Sequence, residues 1–148
     1  MKRCRAGLIA VALHCTAFAG TTDANLYGRW KVTGVAGAQN TTSLSSDEID
    51  KLKGDEFVID AQTIRFAGEE CAHPQMTKSI HSTESFFRRE YKISPKGLNL
   101  PDPVTEFEVA CDAPSPISYI YVRDGKVIVF FWNGFFLNAT RQALETDR

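Results

Sequence analysis

The chain is short of residues that announce a reaction. Its 148 residues include four cysteines, three histidines and two methionines, with no CxxC and no spaced histidine pair. A thiolate or imidazole metal site therefore has nothing to be built from. No glycine-rich phosphate loop occurs, and no serine sits on a glycine elbow beside a histidine context, so phosphate cradling and nucleophilic catalysis lack their usual frames. Excess positive charge is missing too. Lys and Arg number 17 against 18 Asp and Glu, which argues against nucleic acid, whose phosphates demand a cationic footprint. The longest apolar stretch, Ala6 to about Phe18, is broken by His14, Cys15 and Thr16. It falls short of the roughly 20 residues of a membrane span.

That stretch is instead the heart of a secretory leader. Lys2, Arg3 and Arg5 precede it, and Ala17-Phe18-Ala19 supplies the small-x-small pattern that a signal peptidase accepts. Residues 1–19 are expected to be a signal peptide cut near Ala19, with 20–148 forming one domain in the periplasm or outside the cell. Leu13 and His14 before Cys15 do not suit a lipoprotein signal. Removing the leader takes three cations and no acids, leaving 14 basic against 18 acidic residues, a net −4. Two cysteines then remain, Cys71 and Cys111, and an oxidising compartment predicts a disulfide between them. Its loop would contribute roughly 4 kcal/mol on the chain-entropy view.

Periodicity in the remainder is that of strands. "EFVID" and "TIRF" each put their apolar residues on one face, and "VTEFEVAC" alternates cleanly. Two short helices interrupt. Ser45 and Glu48 form a capping box, with Leu44 and Ile49 as its staple, predicting a helix over 46–53 ended by Gly54. "TESFFRREY" predicts a second, with Thr83 as cap and Phe87 and Tyr91 four apart. Asp124-Gly125 and Asn133-Gly134 are both two-residue type I′ hairpin signals. Eight strands follow, over 27–35, 56–60, 63–66, 75–81, 104–111, 117–123, 126–132 and 135–141. The fold class expected is all-β, an eight-stranded antiparallel up-and-down barrel, with a β-sandwich as the alternative.

Gly28-Arg29-Trp30, at the head of the first strand, resembles the glycine-x-tryptophan signature of the lipocalins and wider calycins. The resemblance implies a barrel floor in which a basic residue of the last strand, here Arg141, packs across Trp30. It also implies a ligand-holding interior. Longer strands and a C-terminal helix, usual in that family, are not visible here. The late run "WNGFFL" is similar to one in small exported Gram-negative proteins, which implies compartment and size but no activity.

The hairpin signals set Tyr119 opposite Phe130, Tyr121 opposite Ile128, and Trp132 opposite Phe135. Tyr119, Tyr121, Phe130, Trp132 and Phe135 thus share a face and are the candidate ligand-binding residues. Ile120, Val122, Val127, Val129, Phe131 and Phe136 make the other face apolar as well. Cover for that face would come from the Phe86/Phe87/Tyr91 helix, a second copy in a homodimer, or a partner. Glu69, Glu70, Cys71 and His73 gather metal-like residue types in "GEECAHP", but a solvated turn beside a disulfide is the expectation, with no metal and no cofactor. Glu106 and Glu108, about 7 Å apart on one strand face, are expected to be solvated rather than a glycosidase pair. The functional expectation is an exported, non-catalytic, lipocalin-like binding protein that holds a small apolar ligand or uses a filled barrel for recognition. The alternative is an inhibitor or immunity factor that binds an exported hydrolase or toxin.

Overall fold

β1 (Gly28–Ala38) is the spine of the fold, and it owes its length to two bulges. Its register against β9 (Phe135–Arg141) slips between Val32 and Gly34 and again between Val35 and Gly37. Each bulge adds a residue and tightens the twist, so the strand coils and runs on past residue 35, into the segment expected to be loop. The computed structural model describes residues 26–143; the expected leader and its cleavage point lie outside them.

Around this spine stand β2 (Glu56–Ile59), β3 (Thr63–Phe66), β4 (Glu69–Ala72), β5 (Gln75–His81), β6 (Val104–Ala110), β7 (Tyr119–Val122) and β8 (Val127–Trp132). Among the described residues nine strands form one antiparallel sheet in the order β4-β3-β2-β1-β9-β8-β7-β6-β5, curled into a half-barrel. First and last strands pair, as in an up-and-down barrel, but the ring stops at β4 and β5, which share no ladder. The expected eight-stranded closed barrel is thus corrected to nine strands with two edges, and a single sheet replaces the sandwich alternative. The extra strand is β4, from the stretch expected to be a turn. It points only Cys71 into the core, so its solvated face hides its alternation.

A covalent clasp ties the edge strand β4 to the end of β6, the strand next to the other edge. Cys71 of β4 is bonded to Cys111, just past β6, and the Asp112 N–H donates to the Ala72 carbonyl at 3.2 Å.

Both sheet faces are covered. On the concave face Trp30, Phe57, Phe66, Phe107, Phe130 and Trp132 form the main core, joined by Ile49 of α1 (Ser46–Asp50). The capping box at Ser45 and Glu48 is present. On the convex face α2 (Thr83–Glu90) lays Phe86 and Phe87, with Tyr91 following, over Tyr121, Val129 and Phe136. Its cap is Ser82, not Thr83. Thr83 instead donates its hydroxyl to the Pro101 carbonyl at 2.6 Å and its N–H to Asp102 at 2.9 Å, tying the helix to the following loop.

The two hairpins differ. Asn133 and Gly134 both have positive φ, 48° and 91°, as a type I′ turn requires, and Trp132 faces Phe135 as expected. Asp124-Gly125 makes no such turn, since neither residue has a positive φ. The Asp124 carboxylate accepts from the N–H groups of Lys126 at 2.7 Å and Val127 at 2.9 Å, wrapping a wider loop. That moves the register by one residue. Ile120 faces Phe130 and Tyr121 faces Val129, in place of the expected Tyr119–Phe130 and Tyr121–Ile128 pairs.

Candidate functional site

The register change divides the five candidate ligand-binding residues. Phe130, Trp132 and Phe135 are buried on the concave face; Tyr121 and the half-buried Tyr119 lie on the convex one. Even the concave three do not surround a space. Phe57 stacks on Phe130 with centroids 4.3 Å apart, and Phe66 meets Phe130 at 4.9 Å and Trp132 at 4.8 Å, both edge-on. These rings fill the middle of the half-barrel.

Room remains at one end, where Trp30 and Arg141 meet. They are cross-strand neighbours on β1 and β9, and the guanidinium carbon lies 4.1 Å from the indole centroid. The contact implied by the glycine-x-tryptophan resemblance is made. Arg141 also donates to the Tyr27 carbonyl at 2.9 Å and the Gly125 carbonyl at 3.3 Å. Trp30 Nε1 donates to the Leu26 carbonyl at 2.9 Å, so both partners are fixed. Gly28 has φ 137°, and a Cβ built there would stand 3.1 Å from an Arg141 nitrogen. The glycine of the motif thus leaves the guanidinium its place beside the ring.

Above this floor lies a cavity of about 580 Å3, lined by Leu26, Trp30, Lys78, Thr105, Phe107, Val122, Asp124, Gly125, Ile128 and Arg141. Most of the lining is apolar. Lys78, Asp124 and Arg141 are its charged members, Asp124 holding the Lys126 and Val127 N–H groups and Arg141 the floor, and Lys78 is the one that sequence reasoning passed over. It lies opposite Phe107 on the edge strand β5 and shares that residue's concave side. No carboxylate among the described residues pairs with it. The signal was available in "QMTKSIH", where Lys78 falls in step with Met76 and Ile80.

A second polar site lies on the convex face, also unforeseen. Glu106, expected to be solvated, is only 7% exposed. Tyr121 donates to one of its oxygens at 2.7 Å, and His81 Nε2 lies 3.3 Å from the other. A carboxylate can only accept, so Tyr121 spends its proton there and the hydroxyl of Tyr91 donates to Tyr121. The His81 ring stacks on Phe86, with centroids 4.0 Å apart. Burial first of all pushes the Tyr91 and Tyr121 hydroxyls above the usual phenol value of 10.0. Glu108, next along the face, remains exposed. Beside the cluster is a cleft of about 260 Å3 lined by Phe86, Glu90, Tyr91, Glu106, Glu108 and Tyr119.

The metal-like stretch resolves otherwise. Cys71 is in the disulfide, and His73 Nδ1 sits 2.6 Å from Asp112 on the surface. Among the described residues no group of three His, Cys, Asp or Glu side chains could hold a metal ion, and no helix is long and apolar enough to cross a membrane. Comparison of the chain with protein families, with curated proteins and with solved structures gave no match.

Proposed function

We propose that this is an exported, non-catalytic binding protein, lipocalin-like in its floor, that holds a small amphipathic molecule at the Trp30 end of the half-barrel. The observation carrying the reading is the cavity of about 580 Å3 over that floor, within the range of small-molecule sites. Its apolar walls, Trp30, Phe107 and Ile128, would take the ligand's body. Lys78, without an ion pair among the described residues, would take an anionic head. Arg141 serves the floor, its guanidinium already spent on Trp30 and two carbonyls. The ligand class is therefore narrowed from apolar to apolar with a negative end. Export agrees with the leader sequence and with the Cys71–Cys111 bond.

The alternative, recognition of an exported hydrolase or toxin, draws on the open edge of β5. Ile80 there is 63% exposed, unusual for a large aliphatic side chain on a strand that could accept a partner's backbone.

The test is a titration with anilinonaphthalene sulfonate, which joins an aromatic body to an anionic head. One saturable site is expected. Thr105→Trp should fill the cavity and abolish binding with an unchanged urea midpoint, and Lys78→Glu should weaken it about three- to five-fold. If a folded Thr105→Trp protein binds the dye as tightly as the parent, the cavity is not the site and the protein-partner reading takes precedence.

A further inference from the structure

We propose that the convex cleft beside Glu106 is a second binding site, for an organic cation: an ammonium or guanidinium group on a short alkyl stem. The proposal is independent of the concave cavity, which opens on the other face of the sheet. Three carboxylates and three aromatic rings line this cleft, and its volume of about 260 Å3 suits a side-chain-sized group. Three elements assemble it: α2 and its end bring Phe86, Glu90 and Tyr91, while β6 brings Glu106 and Glu108 and β7 brings Tyr119, with Glu108 directly opposite Tyr119.

The charges do not cancel from within. Glu106 has a side chain only 9% exposed, and among the described residues its one ion-pair partner is His81, cationic only when protonated. Its other partner, Tyr121, is a neutral donor. A buried carboxylate without a permanent counter-charge is costly to hold, and a cation arriving in the cleft would offset that cost. Glu108 makes no ion pair among the described residues, while Glu90 shares one oxygen with the neighbouring Arg89 at 2.7 Å. The field of all three carboxylates converges on one hydroxyl. Burial raises Tyr119 above the usual phenol range, and Glu108, Glu106 and Glu90 raise it further.

The walls discriminate between cations. Aromatic faces attract poorly hydrated organic cations, whereas a divalent metal would need three or more ligands converging on one point, and no such group occurs among the described residues.

Titration of the protein with n-butylammonium, followed by heteronuclear NMR, tests this. Saturable shifts are expected at Phe86, Tyr91, Glu106, Glu108 and Tyr119, with little response to uncharged n-butanol. Glu108→Gln, at an exposed position, and Tyr119→Ala should each weaken binding about three-fold or more; Lys78→Glu, on the concave side, should not. A blocked lysine amide separates the sources. Binding as tight as that of butylammonium assigns the site to a side chain of a polypeptide; binding of butylammonium alone assigns it to a free amine. Equal shifts with butanol, unchanged affinity in Glu108→Gln, or no shift at these residues would overturn the proposal.

Discussion

Removing one oxygen from Tyr121 would take the phenol donor from Glu106 and the acceptor from Tyr91 together. Tyr121→Phe is expected to cost about 1–3 kcal/mol, since it leaves buried polar groups unsatisfied, measured by urea unfolding at neutral pH. The same residue shapes the alkaline limb of stability. Folding raises the phenol pKa values of Tyr91 and Tyr121 above 10.0. The unfolded chain therefore releases those protons first, and stability is full below about pH 10 and falls as the pH climbs beyond it. In Tyr121→Phe that decline should be shallower across about pH 8 to 12; an identical slope would show that these hydroxyls do not control it. None of this was legible in "VTEFEVAC". Alternation assigned Glu106 to the outward side correctly, but its burial comes from Phe86 and His81, far away in sequence.

Strands and turns were legible wherever their chemistry is local. Asn133-Gly134 needs left-handed backbone at both residues, and only such residues adopt it cheaply, so β8 and β9 pair as read. Asp124-Gly125 carries the same kind of turn signal, yet the Asp124 side chain finds two backbone donors and builds a different loop. One residue of slip sends every side chain of β7 to the other face, which is why Tyr119 and Tyr121 left the company of Phe130. β4 was illegible because an edge strand with a solvated face shows almost no pattern. Its place depends on the disulfide. Cys71→Ser with Cys111→Ser is expected to lose roughly 2–4 kcal/mol, and in hydrogen exchange the amides of 69–72 should lose protection while those of β8 and β9 keep theirs. Equal loss across the whole sheet would mean that the bond supports the entire core rather than this corner.

Across the molecule, the core was the part best read from sequence and the site the part worst read. Trp30 and Arg141 stand together because the first and last strands are neighbours, a relation that glycine-x-tryptophan and a late arginine suffice to suggest. The cavity above them could not be read, since it is whatever space the aromatic rings of other strands fail to fill. The strand order also sets a gradient of stability. β1 and β9 are flanked on both sides, so amides of Val32, Leu137 and Ala139 should exchange slowest, with β5, open along one edge, among the fastest of the strands. Uniform protection from β5 to β1 would contradict an open half-barrel.

The partnership of β1 with β9 has a consequence in time. β1 must wait for residues 135–141 before it finds the neighbour that buries Trp30, so this long-range pairing comes late and assembly is slow. Until then β1 lacks the ladder beside Trp30, and the apolar rings meant for the core stay exposed to water.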